Sequence, residues 1–208
     1  MKKSILFRYP SNVHGLTGSI ACGKTTVANI FKKYGIYVLD LDNVARDVVK
    51  KGAKGLELII KEFGDEYLLD NGELNRKKLG ELIFTDKNAK KKLEIILHPL
   101  IFEREKQIIN DYLTKFPDNL VIIDAALMIE TGSYKRYNKI IVVYVPENIQ
   151  IERLIKRDKL TYNEAEKRVK SQMPISEKIK FANFIIDNSK SIENTEKQVL
   201  KIIEELKK

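Results

Sequence analysis

Short apolar runs alternate with amphipathic segments along most of the chain. Five runs rich in Ile, Val and Leu have the length of strands, and their continuous hydrophobicity is typical of strands buried on both faces. They are residues 12–16, 36–40, 120–124, 140–145 and 183–187. Helical periodicity in the segments between them indicates helices that connect parallel strands. The pattern predicts a three-layer α/β fold, with helices on both faces of a five-stranded parallel sheet.

The spacing of the predicted strands is uneven. The stretch from residue 40 to residue 120 is long enough for a helical insertion, and the stretch from 145 to 183 accommodates two more helices. We predict a single domain over residues 1–208, with a core of 12–48, 118–150 and 181–208. A helical insertion would occupy about 49–117, and a second one about 151–180.

Local signals predict where helices in these insertions begin. Asn75 is a suitable N-cap, and another helix starts near Asp86. A separate long helix has Pro99 in its first turn, where proline is tolerated. Thr161-x-x-Glu164 has the form of a capping box that opens a helix of the second insertion.

The turn after the first predicted strand has the most specific motif of the chain. Residues 18–25 match the phosphate-binding pattern G-x-x-x-x-G-K-S/T in full. In this pattern glycines let backbone N–H groups wrap a triphosphate, and the next helix points its positive end at it. Lys24 would reach the β and γ phosphates, and the Thr25 hydroxyl would hold Mg²⁺. The residues predicted to bind the nucleoside triphosphate are Gly18, Ser19, Ile20, Ala21, Cys22, Gly23, Lys24, Thr25 and Thr26.

Two carboxylates follow the second predicted strand. Ligands of parallel sheets bind beyond the carboxyl ends of the strands, and alternation would place Asp40 and Asp42 on the same side, near the phosphate-binding loop. A carboxylate there can accept the proton of an alcohol that attacks the γ-phosphoryl group. We predict Asp42 as this base and Asp40 as a support for the metal or the loop. One of the two can also cap the next helix.

Further charged residues fit the same chemistry. The third predicted strand ends in Asp124, which would hold water on Mg²⁺. Arg153 and Arg157 lie one turn apart in the second insertion, where guanidinium groups can clamp the transferred phosphate, or can form helix salt bridges with Glu152 or Asp158. An insertion after the second strand and an arginine-bearing one after the fourth are typical of a P-loop kinase. The first holds the acceptor and the second closes as a lid.

The net charge of +9 indicates anionic partners or a lysine-rich solvated surface. The lysines are not regularly interleaved with aromatic residues, so we favour a solvated surface, then steering of small polyanions, over nucleic-acid binding. No apolar run is long enough to span a membrane or resembles a secretory signal. The single cysteine allows no intramolecular disulfide and fits a reducing cytoplasm. The oligomeric state stays open.

The order and spacing of several short motifs resemble the dephospho-CoA kinase family from about Gly15 to Asn188. The motifs are Leu16-Thr17-Gly18, Val38-Leu-Asp-Leu-Asp42 with Ala45-Arg46, Gly72-Glu-Leu-Asn-Arg76, Ile83-Phe84, Leu97-His98-Pro99-Leu100-Ile101, Asp124-Ala-Ala-Leu127 through Glu130, Arg153, Arg157-Asp158, Gln172 and Ala182-Asn-Phe-Ile-Ile-Asp187-Asn188. The His-Pro-Leu-Ile segment and its insertion separate this family from other P-loop kinases.

The resemblance implies phosphorylation of the ribose 3′-hydroxyl of dephospho-CoA by ATP with Mg²⁺, giving CoA and ADP. It implies that Asp42 is the base, that Lys24 and Thr25 serve MgATP, and that Arg153 or Arg157 comes from the lid. His98 would be mainly structural, with substrate contact as the alternative. The residues expected to bind the acceptor are Asp40, Asp42, Arg46, His98, Leu127 and Glu130.

The chain departs from the family pattern in three places. Ser19 and Ala21 replace two loop glycines, although a Cβ restricts positive φ. Ala126-Leu127-Met128 stands where Pro-Leu-Leu is usual, and residues 1–11 precede the first strand as an extra edge strand or an arm. Cys22, at the positive end of a helix, is either a small filler or a thiol of lowered pKa.

Three rival functions share some of these features. Another small-metabolite or nucleoside monophosphate kinase would have the same loop, sheet and lid but a different acceptor. A GTPase would need Asn-Lys-x-Asp, whereas Asn138-Lys139 continues with Ile-Ile. A basic nucleic-acid-stimulated ATPase is the third rival.

Overall fold

The computed structural model describes residues 7–208. Its centre is a five-stranded parallel sheet in the order β2-β3-β1-β4-β5. The strands are β1 (Val13–Gly18), β2 (Tyr37–Asp40), β3 (Val121–Asp124), β4 (Ile140–Tyr144) and β5 (Phe184–Asp187). All five lie within or beside the predicted ranges, so the predicted sheet is confirmed. β1 is the central strand, with Leu16 paired to Asp124 of β3 and Gly18 paired to Val143 of β4.

The chain divides into two compact units. One extends to Leu39 and resumes from Asp118 to Lys208, and the other is Asp40–Pro117. The first contains the helices α1 (Lys24–Lys33), α6 (Glu147–Asp158), α7 (Tyr162–Lys170), α8 (Ile175–Ile179) and α9 (Ile192–Leu206). The second contains α2 (Leu41–Asp47), α3 (Lys54–Phe63), α4 (Arg76–Thr85) and α5 (Lys87–Lys115).

Apolar side chains of the sheet and two helices form the core of the first unit. Leu16 of β1 and Ile141 of β4 pack with Phe31 of α1 and with Val199 and Ile203 of α9, all of them buried. Strands buried in this way explain why the sequence shows continuous apolar runs instead of alternation. The packed core fixes the carboxyl end of β1, from which the phosphate-binding loop begins.

The predicted start of the long helix in the second unit was wrong. Instead of two helices, one at Asp86 and one at Pro99, a single helix α5 runs through both positions, with Pro99 in its interior. Asp86 caps it by accepting hydrogen bonds from the N–H groups of Asn88 and Ala89. A proline inside a helix removes one backbone hydrogen bond, and burial of Leu93 and Ile109 on either side holds the helix together.

Other helix signals are confirmed. The Asn75 side chain accepts a hydrogen bond from the N–H of Lys78 at the start of α4. Thr161 and Glu164 form the complete capping box of α7. Among residues 7–208, no helix is both long and apolar enough to cross a membrane.

The segment before β1 was predicted to be an edge strand or an arm. Residues 1–6 lie outside the described part, and residues 7–10 form neither helix nor strand. The N–H of Tyr9 donates to the carbonyl of Arg136 at 2.9 Å, and its ring stacks on Tyr137 with centroids 5.8 Å apart. This part of the segment is therefore packed on the first unit.

His14 of β1 gives the fold a measurable pH dependence. Its imidazole is buried, and neither ring nitrogen has a hydrogen-bond partner among the described residues. Burial, with a smaller contribution from the charge of Lys139, lowers the pKa of His14 to about 4. The unfolded chain therefore binds this proton more tightly, so stability is full above the ordinary pKa of about 6.5 and falls as the pH drops towards about 4.

Between about pH 7 and about pH 4.5, we expect the wild type to lose about 2 kcal/mol more unfolding free energy than His14→Gln. Urea unfolding of wild type and variant at both pH values measures this difference. His98→Gln is the matched control, because His98 is the other histidine of the chain and is exposed. An unchanged slope in His14→Gln would contradict the buried neutral imidazole.

Candidate active site

The phosphate-binding loop connects β1 to α1 in a conformation that needs its glycines. A Cβ on Gly18 would lie 2.8 Å from the carbonyl oxygen of Val143, so β4 closes the space beside the loop. Gly23 has φ +81°, in the left-handed region that favours glycine. Ala21 also has a positive φ, 58°, whereas Ser19 is not among the positive-φ residues of the described chain. Ser19 and Ala21 stand where the family usually has glycine. Only the replacement at Ala21 forces a side chain into a left-handed backbone conformation, which costs roughly 1 kcal/mol.

The N-terminus of α1 provides donors for an anion. Lys24, Thr25 and Thr26 form its first turn, whose N–H groups have no partners within the helix. Gly23 at the N-cap offers no side chain, and the first turn contains no acidic residue. The backbone N–H donors and the positive end of the α1 dipole are therefore available to a phosphate group bound at the loop.

Residues from distant parts of the chain hold the loop. The Asn188 amide donates to the carbonyl of Cys22 at 2.8 Å and accepts from the Thr195 hydroxyl at 2.9 Å. Arg153 of α6 donates to the carbonyl of Asn188 at 2.8 Å and to that of Cys22 at 3.4 Å. Gln172 accepts from the N–H of Ile20 at 2.9 Å. Arg153 thus already lies against the loop.

Arg157 has a different environment. Its guanidinium makes two hydrogen bonds to Asp158, at 2.7 and 3.1 Å, and lowers the pKa of that carboxyl group. This is the salt bridge that the sequence left open as the alternative to a phosphate clamp. Arg157 nevertheless lines a groove of about 550 Å³ together with Gly23 and Thr25 of the loop. The basic residues of this groove are Arg153, Lys156, Arg157 and Lys190.

Lys24 and Asp124 form a largely buried ion pair in the first unit. Asp124 ends β3, beside β1 in the sheet, and its side chain is only 7% exposed. The pair places the loop ammonium next to the carboxylate predicted for the metal. The Thr25 hydroxyl and the Asp124 carboxylate are oxygen donors of the kind Mg²⁺ takes, with waters and phosphate oxygens completing its shell. This donor chemistry fits Mg²⁺.

The segment after β3 contains two predicted acceptor-site residues. Leu127 is half exposed. The Glu130 carboxylate pairs at 2.8 Å with Lys178, which is fully buried. Glu130 is therefore engaged by an internal cation.

The remaining predicted residues belong to the second unit. Asp40 ends β2 and caps α2, accepting from the N–H groups of Asp42 at 2.8 Å and Asn43 at 3.3 Å. Asp42 is exposed in the first turn of α2 and does not lie on a strand. The expected strand alternation of Asp40 and Asp42 was therefore wrong, because the helix begins at Leu41. The carbonyl of Arg46, in the last turn, accepts from Arg76. His98 is exposed on α5.

The hypothesis that Cys22 has a lowered pKa was wrong. The thiol is buried, and burial raises its pKa to about 11, outweighing the opposing effects of a backbone hydrogen bond and of Lys24. The local position at a helix N-terminus favours the thiolate, but removal from water matters more.

We expect iodoacetamide to leave Cys22 of the native protein unmodified at about pH 7.5, with or without MgATP, since well under about 1% is thiolate. Mass spectrometry after timed quenching measures the modification. The same reaction in concentrated guanidinium is the control and should go to completion. Fast alkylation of the native protein would contradict the raised pKa.

Sequence reasoning missed several residues that hold the loop. Gln172 and Asn188 entered only as parts of a resemblance, with no role, and Lys178 and Thr195 were not singled out. A polar residue directly after a buried strand was a usable signal for Asn188. No periodicity distinguishes the buried Lys178 from the exposed Lys180 two residues later.

A glycine loop leads from the central strand of a parallel sheet into an uncapped helix, with Lys24 beside the Asp124 carboxylate, and this arrangement defines a P-loop nucleotide-binding protein. The family model described as dephospho-CoA kinase matches residues 12–194. The chain belongs to the dephospho-CoA kinase family, whose members are phosphotransferases that act on a hydroxyl group.

Individual relatives agree with this assignment. The dephospho-CoA kinase of Aquifex aeolicus is 44% identical over 192 residues, covering 92% of this chain and 96% of the relative. That of Listeria monocytogenes serotype 4b is 43% identical, covering 91% and 94%. Among solved structures, dephospho-CoA kinase from Campylobacter jejuni is 34% identical with a TM-score of 0.70, covering 94% and 97%. TT1252 from Thermus thermophilus shares the fold, at 29% identity with a TM-score of 0.77, covering 93% and 97%.

Proposed function

We propose that this protein phosphorylates the ribose 3′-hydroxyl of dephospho-CoA with ATP, giving CoA and ADP, the final step of coenzyme A biosynthesis. The main support is the uncapped N-terminus of α1 behind the glycine loop, in a chain of this family. The single, buried thiol fits a reducing cytoplasm, where we place the reaction.

Phosphoryl transfer needs positioning and charge neutralisation more than covalent chemistry. In our proposal the loop N–H groups and Lys24 bind the β and γ phosphates. Arg153, held beside the loop by the carbonyls of Asn188 and Cys22, adds positive charge at the transferred group. Arg157 adds to it from the groove beside the loop.

Thr25 and Asp124 would hold Mg²⁺, which when bound neutralises charge on the phosphates. Lys24 and Asp124 are in contact, so the proposed binding sites for the triphosphate and for the cation are adjacent. When Lys24 turns towards phosphate, the Asp124 carboxylate is released from the ion pair. Substrate binding and the availability of this metal ligand are thereby linked.

Asp42 is our candidate for the base that accepts the proton of the ribose hydroxyl. Asp40 already provides the cap of α2, so the Asp42 carboxylate is not needed for that role. Within residues 7–208 the Asp42 carboxylate has no hydrogen-bond partner, and the bond to Asp40 comes from its backbone N–H. We assign acceptor binding to Arg46 and Leu127, and we keep a mainly structural role for His98, with substrate contact as the alternative.

The test is to mix the protein with MgATP and dephospho-CoA and to detect CoA by mass spectrometry. Parallel reactions with nucleoside monophosphates and other small alcohols test the nearest rival class by ADP release. DNA and RNA are added separately and should not increase ADP release. Phosphorylation of another acceptor in preference to dephospho-CoA would refute the proposal.

A further inference from the structure

Lys178 of α8 is an ammonium group buried below the phosphate-binding loop. It is among the largest fully buried side chains of the described chain, with 0% exposure. Its Nζ donates to the carbonyls of Ala126 at 2.9 Å and Gly18 at 3.3 Å and pairs with Glu130 at 2.8 Å. A lysine ammonium has three N–H donors. The three acceptors therefore use its full hydrogen-bonding capacity.

The acceptors belong to two different parts of the site. Gly18 opens the phosphate-binding loop, whereas Ala126 and Glu130 lie in the segment after β3, two and six residues beyond Asp124. The Thr17 hydroxyl donates to the same carbonyl of Ala126 at 3.1 Å. Lys178 and Thr17 thus join the start of the loop to the segment that follows Asp124.

Packing does not require a charge at this position. Burying an ammonium group carries a desolvation penalty, which the one carboxylate and two carbonyls offset without a net gain in stability. An apolar side chain of similar volume avoids this penalty. Methionine has nearly the length of lysine and would fill the same space. The charge is explained by the directed bonds that it makes to both segments.

We propose that Lys178 is a positioning residue for phosphoryl transfer. Its ammonium sets the distance between the start of the phosphate-binding loop, which leads to Lys24, and the segment that follows Asp124 at the end of β3. Glu130 is the counter-ion of Lys178 and not a ligand of the acceptor. The inference deepens the proposed function and rests on it for the identity of the acceptor.

The consequence is a defect in turnover. Because small displacements of reacting groups reduce rates by about a hundredfold, we expect Lys178→Met to lower kcat by about 10- to 100-fold. The KM for ATP should change by less than about threefold, since the loop N–H groups and Lys24 remain.

The experiment compares wild type, Lys178→Met, the double variant Lys178→Met/Glu130→Gln and Lys180→Met. Lys180 is the matched control, because it lies two residues away with a side chain 66% exposed. The double variant removes both charges and so avoids an unpaired carboxylate if the single variant does not fold. Thermal unfolding and ADP release with and without dephospho-CoA are measured for each protein.

We expect the double variant to recover stability but to keep the low kcat, and Lys180→Met to equal wild type. Recovery of kcat together with stability would show a purely structural role and overturn the inference. A raised KM for ATP with normal kcat would also overturn it. Wild type that releases ADP without making CoA would refute the proposed acceptor, and the ratio of ADP-release rates would still test Lys178.

Discussion

Replacing Asp42 by asparagine is expected to lower kcat by roughly two to four orders of magnitude, the usual contribution of a general base. The variant keeps the size of the side chain but cannot take the proton of the ribose hydroxyl. Nucleotide affinity should stay nearly intact, because the loop N–H groups and Lys24 belong to other elements. The effect therefore falls on the chemical step.

The measurement is ADP release at saturating dephospho-CoA, with nucleotide affinity from calorimetry. Asp47→Asn is the matched control, since Asp47 is an exposed carboxylate at the other end of α2 that pairs with Lys50 at 2.6 Å. Loss of a negative charge in the first turn of α2 should reduce stability by about 1 kcal/mol or less, which urea unfolding checks. Near-normal turnover in Asp42→Asn would remove Asp42 from its assigned role.

The sheet was predictable because each strand is a short apolar run between helical patterns. The predicted break in α5 failed because a local penalty at Pro99 is offset by packing of the helix on either side, which a local rule does not include. The position of Asp42 was likewise misjudged by a local rule. Alternation along an extended chain was a sound rule, but β2 ends at Asp40, whose side chain starts a helix.

In the candidate site, too, local features were predictable from the sequence and contacts between distant residues were not. The loop motif is contiguous, so the sequence alone assigns its phosphate chemistry. The groups that hold the loop are distant along the chain, since Lys178 is 160 residues from Gly18, and Asn188 is 166 residues from Cys22. Cys22 illustrates the consequence, because its local position predicts a thiolate and its burial by the folded chain prevents one.

Replacing Lys24 by alanine is expected to weaken both nucleotide binding and turnover. A lost charge-assisted bond to phosphate should raise the Kd for MgATP by about 10-fold or more. Loss of a preorganised donor to the developing charge should lower kcat by about a hundredfold or more. Calorimetry and ADP release measure the two effects, and Lys32→Ala, an exposed lysine on the same helix, should change neither.

The ion pair with Asp124 provides a stability control for this prediction. Lys24→Ala also removes the partner of a nearly buried carboxylate, so part of any loss can come from instability. The double variant Lys24→Ala/Asp124→Asn removes that charge and should regain stability in urea unfolding. Because the phosphate contact is still missing and a proposed Mg²⁺ ligand has lost its charge, ATP affinity and turnover should stay low. Their recovery along with stability would mean that Lys24 serves the fold and not the phosphate.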